Sequence, residues 1–285
     1  MSGEFVGIHT GSFSTPAAGN PTVVMVEAAY RHHGIDARYL NCEVSSGALG
    51  DAVTGARAMG WAGFNCSLPH KVAVIDHLDL LAESAELIGA VNTVVATDGD
   101  LVGHNTDGQG FITSLRTVID PAGLHVVVLG SGGAARAVAV ETALAGAASV
   151  TVVNRNERRG VELARVVTEG TGVAATYVAW DRPFEVPGRS DVLVNATSVG
   201  YGDADALPPV DLDTLHGGLV VADVVVSPPR TALLRAAEEA GATTLDGLGM
   251  LVGQGALAVH LWTGVEPDRD VMRAAAAGAL GLAAR

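Results

Sequence analysis

Four polar clusters stand out in a chain otherwise poor in charge. They are Ser12-Phe13-Ser14, Asn65-Cys66-Ser67-Leu68-Pro69-His70-Lys71, Ala90-Val91-Asn92-Thr93 and Asn105-Thr106-Asp107-Gly108. Hydroxyls, amides and one lysine–aspartate pair are the groups that hold and act on a polyhydroxylated small molecule. Alternation about Phe13 points the Ser12 and Ser14 hydroxyls to one side of an extended segment. Pro69 can open a helix, which sets Lys71 in the first turn. The helix dipole disfavours a cation there, so Lys71 reads as a residue placed for chemistry. Asp107, also expected at a strand end, can balance its charge. Singly, such residues are more often turns or caps; their gathering at predicted strand ends is what points to a site.

A second constellation follows. Val126-Val127-Val128-Leu129 runs into Gly130-Ser131-Gly132-Gly133-Ala134-Ala135 and then into helix-forming Arg136–Val140. Strand, glycine turn and helix in that order form a dinucleotide-binding fingerprint. Gly130 permits the tight turn, Gly132 lets the backbone approach a diphosphate, and Ala135 allows close helix–strand packing. The diphosphate would lie on the free N–H groups of the helix N-terminus. The next strand ends in Asn154-Arg155-Asn156-Glu157-Arg158-Arg159. NAD sites place an Asp or Glu there for the ribose 2′-hydroxyl, whereas guanidinium groups grip a 2′-phosphate. NADP is therefore expected over NAD.

The elements that must position these groups alternate between short β-rich runs and Ala-rich helical stretches, the pattern of parallel α/β layers. In the first part, 5–8, 38–44 and 63–66 read as strands, and 21–33 and 48–59 as helices. Asp98-Gly99 between 93–96 and 101–104 signals a two-residue hairpin. Pro121-Ala122-Gly123 reads as the passage into a doubly wound sheet with strands over 126–129, 149–153, 176–179, 192–195, 219–223 and 242–245. Helices over 247–262 and 268–280 follow with no strand after them. A lone amphipathic pair would leave its apolar face uncovered, so they are expected to pack back on the first domain. The fold class is thus α/β with two domains: an α/β substrate-binding domain over 1–110, completed by 247–285, and a Rossmann-type NADP-binding domain over 111–246.

The 285 residues carry 48% hydrophobic and 17% charged side chains, enough apolar material for two cores. A formal charge of −14 argues against nucleic acid, which needs a basic surface to replace phosphate counterions. Cys42 and Cys66 form neither a disulfide framework nor a metal set, and no metal is expected. The start Met1-Ser2-Gly3-Glu4-Phe5 lacks an export signal, and no apolar run is long enough to span a membrane. A cytoplasmic protein with no membrane partner is expected.

The ordered motifs resemble those of the shikimate dehydrogenase family over most of the chain. The pieces are Asn65-x-Ser67-x-Pro69-x-Lys71, Gly89–Thr93, Asn105–Gly108, Gly130-x-Gly132-Gly133-Ala134, Asn154-Arg155, Asn195-Ala196-Thr197-Ser198-x-Gly200 and Gly247-x-x-Met250-Leu251-Val252-x-Gln254-Gly255. The resemblance implies an NADP-dependent dehydrogenase acting on a CH–OH group. Shikimate and 3-dehydroshikimate would be its pair, placing it in the chorismate route to aromatic amino acids. It implies Lys71 and Asp107 as the catalytic pair, with Ser12, Ser14, Ser67, Asn92 and Gln254 on the substrate. Gly130, Ser131, Gly132, Gly133, Ala134, Asn154, Arg155, Asn156 and Arg159 would hold NADP. Thr197, Ser198 and Val199 would lie near the rest of the cofactor, and Gly247 and Met250 near its nicotinamide. A homodimer is common in such enzymes.

The chain also departs from the pattern. Val226 stands where the family usually has a tyrosine, Ser67 where threonine is usual, Tyr201 where methionine is usual, and Asn156 where threonine is usual. The serine motif reads Ser12-Phe13-Ser14-Thr15-Pro16, one residue longer before the proline. The alternatives are the same chemistry on quinate or another shikimate-like polyol acid, or a non-catalytic NADP-binding regulatory module.

Overall fold

The computed structural model describes residues 7–282. Residues 5 and 6 of the first expected strand lie outside the described residues, as does the start of the chain on which the reading against export rests. The chain divides into two compact units, one running up to Thr106 and resuming at Gln254, the other spanning Asp107–Gly253.

The first unit contains β1 (Ile8–Ser14), α1 (Pro21–His32), β2 (Ala37–Glu43), α2 (Leu49–Ala58), β3 (Gly63–Cys66), α3 (His70–Ala73), β4 (Leu80–Leu81), α4 (Glu83–Ile88), β5 (Thr93–Thr97) and β6 (Asp100–His104). Its sheet runs β2-β1-β3-β5-β6-β4. β2, β1 and β3 are parallel, but β5 is antiparallel to both β3 and β6. The hairpin expected between β5 and β6 is present and makes this sheet mixed. Asp98 and Gly99 both take positive φ, 53° and 95°, and that two-residue turn folds β6 straight back on β5. A mixed sheet brings the ends of β1, β2, β3 and β6 and the start of β5 to one edge.

The core below the sheet is built from side chains that alternate with the polar ones. Phe13 stacks on Phe64 with ring centroids 4.5 Å apart, and Leu49, Val53, Trp61, Val74, Val91 and Val94 close around them. Asn20 caps α1 by accepting from the Thr22 N–H at 3.0 Å, and Pro21 opens it.

The second unit holds α5 (Thr106–Leu115, from its second residue), β7 (His125–Leu129), α6 (Gly133–Leu144), β8 (Ser149–Asn154), α7 (Glu157–Thr171), β9 (Ala174–Ala179), β10 (Val192–Asn195), β11 (Val220–Asp223), α8 (Ala232–Glu239) and β12 (Thr243–Leu245). Its sheet, β12-β11-β10-β7-β8-β9, is parallel throughout. The strand order moves outward from β7 through β8 and β9, then returns to β10 on its other side. That reversal is the switch point at which open α/β sheets bind ligands beyond their carboxyl ends.

The last helices are α9 (Gly247–Thr263) and α10 (Arg269–Ala279). The later part of α9 belongs to the first unit, where Trp262 Nε1 donates to the Val94 carbonyl at 2.9 Å. Gly63 leaves room for that indole: a Cβ built on it would lie 2.3 Å from Trp262 Nε1. α10 packs on α1. The expected return of the C-terminal helices is present. Among the described residues no helix is long and apolar enough to cross a membrane.

Candidate active site: a polar sheet edge and a bare glycine turn

One face of β1 and β2 is a polar ladder. Register pairs Thr10 with Tyr39, Ser12 with Asn41, and Ser14 with Glu43. Phe13 points to the other face, as the alternation predicts. Ser12 Oγ donates to Asn41 Oδ1 at 2.8 Å and accepts from Asn20 Nδ2 at 3.1 Å. Asn41 in turn donates to the Ala17 carbonyl at 2.7 Å. Glu43 accepts from the Thr15 hydroxyl and from the Ala17 N–H. These two bonds hold its carboxyl below the usual range.

Deeper along the same edge, Tyr39 donates to Asn65 Oδ1 at 2.7 Å. Asn65 donates to the Asn92 carbonyl and to Thr93 Oγ1 at 3.1 and 2.9 Å. The Asn92 carboxamide oxygen accepts from the Thr106 N–H at 2.7 Å, and its nitrogen lies 3.5 Å from Gln254 Oε1. Burial pushes the Tyr39 phenol well above its ordinary value.

Lys71 sits half-buried in α3. Two bonds fix the turn that carries it: His70 Nε2 is 2.7 Å from the Val44 carbonyl, and the Lys71 carbonyl accepts from the Val91 N–H at 2.7 Å. Burial pushes the Cys66 thiol up to about 12, with the Lys71 charge opposing, so the ammonium lies within electrostatic reach of the end of β3. The first unit thus brings Ser12, Ser14, Ser67, Lys71, Asn92 and Gln254 into one fold unit. Ser67 is exposed; Ser12, Ser14, Asn92 and Gln254 are buried.

In the second unit, Gly130 ends β7 with φ +108°, and its N–H donates to the Val153 carbonyl at 2.8 Å. Gly132 caps α6 with no side chain on the freed N–H groups. A Cβ built on Gly132 or Gly133 meets nothing within 4 Å, so this stretch of backbone faces open space. α1, α7, α8 and α10 are capped by the side chains of Asn20, Asn156, Thr231 and Asp268, whereas α2, α3 and α4 share with α6 the lack of a side-chain cap. An uncapped helix start with open glycine backbone fits a bound diphosphate. Ser131 and Ala134 are half-buried beside it, and Ala135 is buried against the sheet.

At the end of β8, Asn154 Nδ2 donates to the Asn156 carbonyl at 2.8 Å, and Asn156 Oδ1 accepts from the Arg159 N–H at 3.0 Å. Both amides therefore shape the turn and cap α7. Arg155, Arg158 and Arg159 are exposed, and the last two line an open depression with Glu157 and Glu162 at the start of α7.

Sequence reasoning missed the support beneath the Thr197–Val199 loop. Asn195 donates to both Asp223 oxygens at 3.0 and 3.1 Å, while its own oxygen accepts from the Thr197 hydroxyl at 2.7 Å. Asp223 also accepts from Thr231 Oγ1 at 2.8 Å and the Val225 N–H at 3.0 Å. Burial raises its carboxyl, and these bonds oppose the rise. An Asp ending an apolar strand was the available signal. Gly247 is held close to the same segment: a Cβ there would lie 2.6 Å from the Val225 carbonyl. Met250 is half-buried one turn on, and Asp107 is half-buried in the first turn of α5.

Known proteins show the same pattern. A family model of the shikimate dehydrogenase substrate binding domain matches residues 15–94, and one of the shikimate 5′-dehydrogenase C-terminal domain matches 247–277. The chain is 44% identical over 271 residues to a shikimate dehydrogenase (NADP(+)) of Methanopyrus kandleri, with 93% of each chain covered. It belongs to the shikimate dehydrogenase family. Among solved structures, a shikimate 5-dehydrogenase of Thermus thermophilus in complex with NADP(H) and shikimate matches at 36% identity. The TM-score is 0.84 over 96% of this chain and all (100%) of that one. The ligand-free 5-ketofructose reductase of Gluconobacter sp. strain CHM43 matches at 56% identity, with a TM-score of 0.94 over 96% of this chain and 99% of that one.

Proposed function

We propose that this member of the family is an NADP-dependent oxidoreductase that interconverts a secondary alcohol and a ketone on a small polyhydroxylated molecule. Shikimate and 3-dehydroshikimate are the pair that family membership brings first. The observation that carries the reading is the bare start of α6, the backbone of a diphosphate site, in a chain whose other unit gathers hydroxyls, amides and Lys71 at one sheet edge.

When bound, NADP supplies or accepts the hydride. The Lys71 amine takes the proton from the hydroxyl oxygen as the alcohol is oxidised, and the resulting ammonium returns it as the ketone is reduced. Asp107 orients that ammonium and balances its charge. Ser12, Ser14, Ser67, Asn92 and Gln254 hold the substrate's hydroxyls and, for shikimate, its carboxylate. Arg155 and Arg159 grip the 2′-phosphate, while Asn154 and Asn156 keep the turn that presents them. Gly247 and Met250 border the nicotinamide, and Thr197–Val199 the rest of the cofactor. Two free thiols, Cys42 and Cys66, suit a cytoplasmic setting, and a homodimer is the assembly proposed on family grounds.

A second substrate reading has its own observations. The 5-ketofructose reductase is 56% identical to this chain, and Val226 leaves no phenol where the family usually has one. Initial rates at 340 nm test both readings, with NADP(H) and NAD(H) against shikimate, 3-dehydroshikimate, quinate and 5-ketofructose. NADP-dependent turnover of any of these supports the oxidoreductase reading. Tight NADP binding with no turnover of any would leave the regulatory module instead.

A further inference from the structure

We infer that Glu43 and Asn41, side by side on β2, are specificity determinants that turn the first unit's polar edge against a carboxylate, so that the preferred substrate is an uncharged polyhydroxylated ketone. The inference rests on the oxidoreductase reading above and names its substrate class.

The argument is one of donors and charges. A carboxylate accepts hydrogen bonds and donates none, so a site for it must offer free donors. Ser12 has one hydroxyl proton, and it is committed to Asn41 Oδ1 at 2.8 Å. The orientation of both neighbouring amides is set by backbone. Asn41 must turn its nitrogen to the Ala17 carbonyl, 2.7 Å away, and Asn20 must turn its oxygen to the Thr22 N–H at 3.0 Å. Ser12 is buried and already accepts from Asn20 Nδ2 at 3.1 Å, so its hydroxyl has no proton left to offer a carboxylate.

Beside Ser14 charge acts in the same sense, against the cation that Lys71 brings to the edge. Glu43 pairs in register with Ser14, on the same face of adjacent strands. The bonds from Thr15 and the Ala17 N–H both favour its ionised form. A fixed negative charge therefore stands one strand away from Ser14, at about the 5 Å spacing of paired strands. Because Glu43 is exposed, water and salt screen its field, which limits the effect to a several-fold preference.

The test compares shikimate with methyl shikimate, the same ring with its charge removed, in the wild-type chain and in Glu43→Gln. Two readouts are taken: kcat/KM with NADP, and the dissociation constant of each ligand on the NADP-loaded protein by calorimetry. In the wild type the ester is expected to be favoured over the acid by roughly three- to tenfold in both, and about 0.5 M salt is expected to narrow the gap. Glu43→Gln is expected to bring the ratio towards one. A wild-type preference for the acid overturns the inference, as does a ratio that neither salt nor Glu43→Gln changes. If both ligands bind with the expected ratio but neither turns over, the charge inference stands and the catalytic reading falls.

Discussion

The two candidate halves are built from different materials. At the polar edge of the first unit, side chains are bonded to one another: Tyr39 to Asn65, Asn65 to Thr93, Asn92 to Thr106, Ser12 to Asn41. At the glycine turn of the second unit there is almost no side chain at all, only backbone with open space above it. A backbone cradle recognises what every dinucleotide shares, its diphosphate, and so needs no variable side chains. A side-chain network can be altered one residue at a time, which is how one fold is turned to several substrates. The contrast predicts opposite mutational behaviour: deleting a side chain damages the first site, and adding one damages the second.

The largest expected effect is the deletion of Lys71. Lys71→Ala is expected to lower kcat on the order of 10²-fold or more, the scale of a lost proton-transfer group. The NADPH dissociation constant should stay within about twofold, since the nucleotide is read elsewhere. Stopped assays alongside fluorescence titration check this, and a loss in binding equal to the loss in turnover would break the comparison.

The second effect comes from an addition. Gly132→Asp places a carboxylate at the uncapped start of α6, where a Cβ has room. Asp is a good N-cap, so thermal stability should hold or rise. NADPH affinity should fall by about 10²-fold, because the new anion occupies the N–H groups and repels the diphosphate. Gly130→Ala has the opposite profile: φ is +108° there, so the cost, roughly 1–2 kcal/mol, falls on folding. Paired melting curves and titrations separate the two.

A third effect sharpens the contrast within the second unit. Arg155→Ala is expected to weaken NADPH about tenfold while leaving NADH within about twofold, the signature of a lost charge-assisted bond to the 2′-phosphate. Equal losses for both nucleotides would remove the arginine from that role.

How much of this was legible in the sequence follows the same division. The glycine turn was readable because its signal is local: an apolar strand, Gly130, Gly132 and the helix are contiguous. The hairpin at Asp98-Gly99 was readable for the same reason. The ladder of Ser12 on Asn41 and Ser14 on Glu43 was not, because β1 and β2 are separated in sequence by α1 and their register exists only in the paired strands. Asn154 and Asn156 show a different limit. Asn serves as readily in a turn or cap as on a ligand, and the structure gives both amides the local task.

The smallest expected effect tests whether the bonded edge of the first unit is structure first and site second. Tyr39→Phe removes the hydroxyl that donates to Asn65 Oδ1 in a buried position. The ring remains, so packing is kept, and the cost is that of an acceptor left without its donor, about 1–3 kcal/mol in urea unfolding. Turnover should change less than about threefold, because Asn65 keeps its bonds to the Asn92 carbonyl and Thr93. Were the stability unchanged and turnover lost, Tyr39 would belong to the chemistry rather than to the scaffold. The division between a self-bonded edge and a bare backbone turn would then have to be drawn one residue deeper.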